Sequence, residues 1–180
     1  MFVKPANAGS SVGITKVKTK KDFSKAIKYA FTYDTKVIIE EAIIGREIEC
    51  GVIGNDEPMA SLPGELIPKE EFYTYKAKYD DNSGTEYKVP AVLSKEQIKK
   101  IQSVVKKTYI ALACEGMGRV DCFLKKNGEV LVSEINTIPG PVMFRRMWES
   151  SGVPFPKLLD MLINLARARF KDEQKLKTTF

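Results

Sequence analysis

Apolar and polar residues alternate along two neighbouring stretches, residues 118–126 and 129–136, and Asn127-Gly128 lies between them. Alternation of this kind predicts strands that are buried on one face. Asn-Gly between two such runs predicts a two-residue hairpin turn, because both turn positions need positive φ. Under that register Asp121 faces Glu134 and Arg119 faces Asn136. The pattern therefore predicts a hairpin whose paired positions carry charged and amide side chains.

One face of this hairpin is polar and the other is mostly apolar. Side chains alternate between the two faces of a strand, which places Arg119, Asp121, Glu134 and Asn136 together. The opposite face takes Val120, Cys122, Leu124, Leu131, Ser133 and Ile135. Two carboxylates directly opposite each other repel, and hard oxygen ligands of this kind hold Mg²⁺ together with substrate phosphates. The face is therefore a candidate cation site, or alternatively a solvated face on which Arg119 neutralises both acids.

Three other segments repeat apolar residues at the spacing of a helix. The first follows Thr19 and runs to about Tyr33, with an inward face of Phe23, Ala26, Ile27, Ala30 and Phe31. The second begins at Ser94, where Gln97 completes a capping box, and ends at Glu115-Gly116. Its buried stripe is Ile98, Ile101, Val105, Thr108 and Leu112. The third begins at residues 154–156 and turns inward Leu158, Leu159, Leu162 and Leu165, and a polar tail follows from Lys171.

The remaining apolar runs predict short strands joined by loops. Residues 37–40 are predicted as a short buried strand, and residues 46–53 as an alternating strand with Ile48, Cys50 and Val52 on one face. The Gly/Ser-rich residues 6–14 expose groups that cradle phosphate oxygens, although an ordinary hairpin loop has the same composition. Residues 63–90 are predicted to be mostly irregular, either as a lid anchored by tyrosines or as a surface loop.

Composition narrows the chemistry that this chain can perform. Apolar residues make up 43% and charged residues 29% of the 180 positions, as in ordinary globular proteins. The absence of histidine excludes histidine-dependent nucleophilic catalysis and the usual zinc sites. Three widely separated cysteines match no metal or disulfide spacing, which indicates core thiols in a reducing cytosol. The net charge of +6 fits an anionic small-molecule substrate, and no basic-aromatic module for nucleic acid accompanies it.

Five motifs occur in order along the chain. They are Val3-Lys4-Pro5 with Gly9-Ser10-Ser11-Val12-Gly13, Ile39-Glu40 with Gly45-Arg46-Glu47, Ala77-Lys78-Tyr79, Gly118-Arg119-Val120-Asp121, and Glu134-Ile135-Asn136-Thr137-Ile138-Pro139-Gly140. In this order they resemble the D-alanine–D-alanine ligases of the ATP-grasp superfamily, up to about Arg169. The resemblance corresponds to the C-terminal half of such an enzyme.

The resemblance implies an α+β chain with the ATP-grasp fold, in which antiparallel sheets pack against helices. Residues 1–39 would complete the central subdomain, residues 40–170 would form the C-terminal domain, and residues 171–180 would be a polar tail. It also implies a cytoplasmic ligase that uses ATP to join two D-alanines for peptidoglycan synthesis, and hence for cell shape. ATP phosphorylates the first D-alanine, and the amine of the second attacks the acyl phosphate. Neither nucleic acid nor a membrane is an expected partner.

Roles for individual residues follow from the same resemblance. The expected ATP-binding residues are Lys4, Ser10, Ser11, Glu40, Ile43, Glu47 and Lys78. The expected catalytic groups are Ser10, Tyr79, Arg119 and the backbone N–H of Gly140, of which Arg119 and Gly140 stabilise the oxyanion. Two Mg²⁺ ions, for which Mn²⁺ can substitute, are expected on Asp121, Glu134 and Asn136.

Two features depart from the family pattern. The family's N-terminal half supplies the first D-alanine site and another ATP-binding lysine, and these residues have no counterpart here. We therefore expect the chain to be a fragment that is inactive alone, and its full-length parent to be a homodimer. The family also follows Pro-Gly with a longer loop, whose serine holds the carboxylate of the second amino acid. Here residues 141–146 are shortened and contain no serine.

The altered loop leaves the second substrate open. Arg145 or Arg146 could grip the carboxylate in place of the serine, or both could lie at a solvated helix start. Retention of Tyr79 in a chain without histidine favours D-alanine as the second substrate. The alternatives are D-Ala-D-Ser or D-Ala-D-Lac ligation, or a non-catalytic ATP-binding fragment.

Overall fold

A small antiparallel sheet forms the first part of the chain. It contains β1 (Phe2–Pro5), β2 (Thr15–Lys16) and β3 (Val37–Glu40) in the order β2-β1-β3. The helix α1 (Lys20–Ala30) packs against it, because its apolar residues recur on one face. Their shared core consists of Val3, Val17, Ala26 and Ala30. The Gly/Ser-rich loop joins β1 to β2, as predicted.

Two expectations for this region are wrong. Helix α1 ends at Ala30, not near Tyr33, and the Phe31 side chain that was assigned to its inward face is 52% exposed. Strand β3 is an edge strand, and its Ile38 and Ile39 are exposed instead of buried. Apolar character identified the strand correctly, but it does not reveal whether neighbouring elements cover an edge strand.

A larger sheet dominates the rest of the chain. Its strands are β4 (Arg46–Ile53), β5 (Met59–Ala60), β6 (Gly64–Ile67), β7 (Glu86–Lys88), β8 (Met117–Leu124) and β9 (Val130–Asn136). The order is β7-β6-β4-β8-β9, and β5 pairs separately with β4. The mostly irregular segment predicted over residues 63–90 therefore contributes two strands to this sheet. Strand β4 lies beside β8 in an antiparallel ladder that runs from Arg46↔Leu124 to Ile53↔Met117.

Helices cover the two faces of the larger sheet. Helix α2 (Lys95–Ala111) begins with the predicted capping box between Ser94 and Gln97, and Ile101, Val105 and Tyr109 bury its inner face. It packs against the sheet face that carries Ile48, Cys50, Val52, Val120, Cys122 and Leu124. Helices α3 (Pro141–Ser150) and α4 (Phe155–Glu173) form a second core with Ile53, made of Phe144, Met147, Trp148 and Leu158.

The helix boundaries and faces differ in detail from the predictions. Helix α2 ends at Ala111, before Glu115, and Leu112 is 56% exposed. Leu159 on α4 is also exposed, whereas Leu158 is buried. Helix α4 continues to Glu173, so the first residues of the predicted polar tail are helical. A helical period identifies an apolar stripe, but the neighbouring elements decide which of its members become buried.

The hairpin turn is longer than predicted. The N–H of Gly128 donates to the carbonyl of Lys125, and the N–H of Lys125 to the carbonyl of Glu129, both at 2.9 Å. The loop therefore contains three residues instead of two. Only Gly128 of this loop has positive φ, at 79°, as in a type I turn followed by a left-handed glycine. Consequently Leu124 pairs with Val130, and the predicted pairing with Leu131 is wrong.

A β-bulge restores the predicted pairing at the other end of the hairpin. Cys122 pairs with Val132 and Asp121 with Glu134, so Ser133 is an additional residue on β9. From Asp121 to Arg119 the register matches the prediction, including Arg119↔Asn136. The bulge changes which residues share each face: Val130 and Val132 replace Leu131 and Ser133 opposite the apolar positions of β8.

The computed structural model describes residues 1–9, 11–68 and 86–177. Backbone contacts divide the chain into one unit of Met1–Ile44 with Ile67–Glu86 and a second of Gly45–Leu66 with Tyr87–Phe180. The domain roles assigned to residues 1–39, 40–170 and 171–180 stay predictions. The three cysteines are free thiols, with Cys50 and Cys122 buried. Within the described ranges, no helix is long and apolar enough to cross a membrane.

Candidate functional site

Three carboxylates lie side by side across three adjacent strands of the larger sheet. Glu49 on β4 pairs with Asp121 on β8, and Asp121 pairs in turn with Glu134 on β9. Paired residues of neighbouring strands project from the same face, so the three acids form one row, called here the carboxylate row. The row lies on the face opposite α2, and its like charges destabilise the sheet unless cations balance them.

Arg119 supplies one of those cations. Its Nε and Nη2 atoms donate to the two carboxylate oxygens of Asp121, both at 2.6 Å. Its Nε also lies 3.6 Å from Oε2 of Glu49. Burial lowers the pKa of the Arg119 guanidinium, but hydrogen bonds to Asp121 and the charges of Asp121, Glu49 and Glu134 outweigh that effect and raise it. Arg119 is therefore a permanent positive charge in a largely buried position.

Asn136 links the two carboxylates of the hairpin. Its Nδ2 donates to Oδ2 of Asp121 at 3.1 Å and to Oε1 of Glu134 at 3.3 Å. A half-turn of the amide would present Oδ1 to the same space. Two carboxylates and an amide oxygen form a donor set that suits Mg²⁺. Within the described part of the chain, no group of three or more Cys, Asp or Glu side chains forms a metal site by itself.

An apolar wall adjoins the carboxylate row. Gly51 pairs with Arg119 on the neighbouring strand, and the aromatic side chains of α3 pack directly over this glycine. A Cβ at position 51 would lie 2.9 Å from Nε1 of Trp148 and 3.1 Å from the Phe144 ring. Arg119 pairs with this covered glycine and its side chain is only 18% exposed, so weak solvent screening strengthens its charge interactions.

Known proteins resemble this chain in sequence and in fold. The family model described as the C-terminus of D-ala D-ala ligases matches residues 1–164. The chain belongs to the D-alanine–D-alanine ligase family. A ligase from Geobacillus kaustophilus is 51% identical over 99% of this chain and 49% of its own length. One from Acetivibrio thermocellus is 49% identical over 97% of this chain and 47% of its own length.

Solved ligase structures have the same fold. The D-alanine-D-alanine ligase from Coxiella burnetii superimposes with a TM-score of 0.85 at 44% identity, over 97% of this chain and 47% of its own. The VanG D-Ala:D-Ser ligase from Enterococcus faecalis gives a TM-score of 0.83 at 40% identity, over 91% of this chain and 48% of its own. The fold is therefore the ATP-grasp fold of these ligases, and the chain spans about half the length of the relatives it matches.

Glu47 and Gly140 are the remaining predicted ligase residues of the second unit. Each lies close in sequence to a member of the carboxylate row. Glu47 lies two positions before Glu49 on β4, on the same face. Gly140 precedes α3 directly, so the helix begins at Pro141 without an intervening loop. By contrast, a cavity of about 650 Å³ beside α4, lined by Asn55, Met59 and Asn164 among others, contains none of the predicted site residues.

The two arginines of α3 differ in their contacts. Nε of Arg145 donates to Glu149 at 2.8 Å, and its guanidinium lies 4.8 Å from the centre of the Phe155 ring. Arg145 is therefore engaged with its own helix and with α4. The Arg146 guanidinium contacts the Met143 sulfur at 3.8 Å, a weak interaction. Of the two, Arg146 is the better candidate to bind a carboxylate, and that role stays a prediction.

The first unit holds a separate group of predicted ligase residues. Nζ of Lys4 forms an ion pair with Oε1 of Glu40 at 2.7 Å, because the two are diagonal neighbours on β1 and β3. Ser11 has an unusual positive φ of 61°, and Ile43 is half-buried in the segment after β3. Ser10, Lys78 and Tyr79, together with residues 69–85 of the predicted lid, lie outside the described residues.

Glu49 is the residue of the carboxylate row that the sequence did not single out. Alternation along residues 46–53 placed its side chain on the face opposite Ile48 and Cys50, which is correct. Its proximity to Asp121 depends on the pairing of β4 with β8, two strands more than 60 residues apart in sequence. A local pattern gives no signal for that pairing.

Proposed function

We propose that this chain is the ATP-binding and metal-binding part of an enzyme that ligates two D-alanines through a D-alanyl phosphate. The observation that carries the proposal is the pairing of Asp121 with Glu134 beside Arg119 and Asn136. Phosphoryl transfer needs positioning and neutralisation of charge more than a covalent nucleophile. The donor set here meets that need in a chain without histidine.

The ATP-binding roles follow from the family resemblance. In this proposal Lys4 contacts phosphate oxygens, and Glu40, Ile43 and Glu47 hold adenine and ribose. Roles at the phosphates and the substrate are assigned to Ser10, Ser11, Lys78 and Tyr79. Because Lys4 is ion-paired with Glu40, nucleotide binding would replace that contact with a phosphate. The same carboxylate would then be available to a ribose hydroxyl.

Charge stabilisation at the reacting carbonyl is assigned to Arg119 and the backbone N–H of Gly140. Asp121, Glu134 and Asn136 would hold two Mg²⁺ ions, which neutralise phosphate charge when bound. Arg119 places a fixed positive charge where the oxyanion develops after the second D-alanine attacks, and such a preorganised charge needs no reorganisation during the reaction. The Arg119 side chain is only 18% exposed, so water screens this charge weakly.

The wider context follows from the proposed activity. Its substrates are D-alanine and ATP, which places the enzyme in the cytoplasm, and its product serves peptidoglycan synthesis. The relatives are about twice as long as the matched region, and we propose that their other half provides the first D-alanine site. We also propose that the full-length protein is a homodimer.

Calorimetry and a fusion protein test the proposal. The 180-residue chain should bind ATP only with Mg²⁺ or Mn²⁺ present and should form no dipeptide alone. A fusion of the N-terminal half of the Geobacillus kaustophilus ligase to this chain should release phosphate and form D-Ala-D-Ala. The intact G. kaustophilus enzyme serves as the positive control. A fusion that folds and binds Mg·ATP but forms no dipeptide with any D-amino acid would support a non-catalytic nucleotide-binding module instead.

D-Ala-D-Ser ligation is the second candidate. It is favoured by the similarity to the VanG D-Ala:D-Ser ligase and by the direct start of α3 at Pro141, which alters the second-substrate region. The same fusion, supplied with D-alanine and an excess of D-serine or D-lactate, separates these outcomes by the mass of the product. Preferential formation of the mixed product would replace the D-Ala-D-Ala assignment.

A further inference from the structure

Arg119 and the proposed metal compete for the same atoms. Both carboxylate oxygens of Asp121 accept short hydrogen bonds from Arg119, and Oδ2 also accepts one from Asn136. A cation on Asp121 would need at least one of these oxygens. Arg119 must therefore give up part of its contact with Asp121 when metal binds, without losing the charge compensation that a largely buried guanidinium requires.

Glu49 is placed to accept the released guanidinium. It is the residue of β4 that pairs with Asp121, and its Oε2 already lies 3.6 Å from Nε of Arg119. A movement of less than about 1 Å would bring this contact to hydrogen-bond length. The Glu49 side chain is itself only 12% exposed, so water screens the interaction weakly.

We propose that Glu49 is a positioning residue that takes over the Arg119 guanidinium when Asp121 binds Mg²⁺ or Mn²⁺. This inference rests on the proposed metal site. Glu49 thereby lowers the free-energy cost of breaking the contact between Arg119 and Asp121. It also keeps Arg119 charged and oriented beside the metal. Its action on the metal is indirect, through Arg119, as outer-sphere partners commonly tune ligand availability.

The geometry distinguishes this role from direct ligation. Glu49 lies on the far side of Asp121 from Glu134, since β8 runs between β4 and β9. The described Asp, Glu and Cys side chains do not form a three-residue metal group. Directly opposite Arg119, on the same strand β4 as Glu49, Gly51 contributes no side chain, and Trp148 and Phe144 fill the space above it. The Glu49 carboxylate is thus the charged group of β4 next to the guanidinium.

Mn²⁺ affinity in the presence of ATP tests the inference. It is measured by electron paramagnetic resonance on the 180-residue chain. Glu49→Gln should weaken Mn²⁺ binding about tenfold, as is typical for an outer-sphere partner, and Glu49→Asp should retain most of the affinity. Glu129→Gln is the matched control, because it removes the same charge at the exposed turn of the same hairpin. Its affinity should stay within about twofold of the native value.

A double-mutant cycle with Arg119→Gln tests whether Glu49 changes Mn²⁺ affinity through Arg119. If Glu49 acts through Arg119, adding Glu49→Gln to Arg119→Gln should change Mn²⁺ affinity by less than about twofold. An equal loss in both backgrounds would overturn the inference in favour of a general electrostatic effect. A larger loss in the Arg119→Gln background would overturn it in favour of direct ligation.

A second measurement does not depend on the stability of the Arg119→Gln protein. The ¹⁵N resonance of Arg119 Nε, assigned by comparison with Arg119→Lys, should shift on addition of Mg·ATP in the native chain. It should shift much less in the Glu49→Gln variant. Native protein that binds no Mn·ATP would refute the proposed metal site itself. Native binding, with Glu49→Gln indistinguishable from Glu129→Gln, would refute only the role of Glu49.

Discussion

The Arg119 guanidinium grips both carboxylate oxygens of Asp121, two residues further along the same strand. This bidentate contact joins the residue proposed to stabilise an oxyanion to a residue proposed to bind metal. Among the described residues, this guanidinium contacts two carboxylates of the row, Asp121 and Glu49. Like charges on paired strands repel, which is the physical reason to expect that a bound cation stabilises this face of the sheet.

Removing the Arg119 charge should destabilise the protein. We expect Arg119→Gln to lower the free energy of unfolding by about 2 kcal/mol, because it leaves partly buried carboxylates without their cation. Added Mg²⁺ should recover part of this loss, since a cation that binds the folded state stabilises it. Urea denaturation with and without Mg²⁺ measures both effects. Lys175→Gln, which removes an exposed ion pair, should change stability by less than about 0.5 kcal/mol. Equal losses in the two variants would contradict the prediction.

Substitutions of the two hairpin carboxylates should differ in their effect on stability but not in their effect on metal binding. Glu134→Gln and Asp121→Asn should each weaken Mg-dependent ATP binding by more than about tenfold. Glu134 is exposed, so its substitution should leave the melting temperature nearly unchanged, whereas Asp121→Asn also weakens the contact with Arg119. Calorimetric titration and thermal melts of the same samples give both quantities. Normal Mg·ATP binding by either variant would show that the metal assignment is wrong.

Thiol reactivity should distinguish the three cysteines. Burial raises the pKa of the Cys50 thiol to about 12. Burial and the charge of Asp121 raise the pKa of Cys122 to about 12. Since the thiolate is the reactive form, a disulfide reagent at pH 8 should modify Cys114 rapidly and the other two slowly. Cys114→Ser should abolish the rapid phase, and denaturant should expose all remaining thiols. Rapid reaction of two or more thiols in the native protein would contradict the described burial.

The hydrogen bonds of the Asp34 carboxylate should stabilise the β1–β2 loop to an extent that depends on pH. Hydrogen bonds from the backbone N–H groups of Lys36 and Asn7 lower the pKa of this exposed carboxyl below its ordinary value of 3.8. A lowered folded-state pKa means that the contribution to stability is full above the unfolded-state pKa and is lost as pH falls through the folded-state value. The melting-temperature difference between native protein and Asp34→Ala should therefore shrink on acidification through that range.

A constant difference between native protein and Asp34→Ala across the titration would show that the carboxylate hydrogen bonds do not stabilise the loop.

The polar end of the hairpin could be predicted from the sequence because alternation of residue types is a local property. Four side chains were assigned to one face, and Arg119↔Asn136 and Asp121↔Glu134 are confirmed. The turn was mispredicted because Asn127-Gly128 suits both a two-residue turn and the end of a three-residue loop. Only the backbone angles distinguish these two cases.

The burial of individual side chains and the contacts between distant segments were harder to predict from the sequence. The exposed Ile39 and Leu159 belong to apolar patterns that identified their elements correctly, but coverage depends on what packs against them. Glu49 was placed on the correct face of its strand, yet its partnership with Asp121 requires the order of strands in the sheet. That order brings together strands that are far apart in sequence, and no single segment encodes it.

The extra residue in the hairpin loop and the extra Ser133 in β9 offset each other. As a result, Asp121 still pairs with Glu134 although the turn is one residue longer than a two-residue turn. A turn that gained or lost one residue could be accommodated by a bulge that slides or disappears, while Asp121 and Glu134 stay opposite each other. We therefore expect the turn of this hairpin to tolerate sequence drift or engineered insertions.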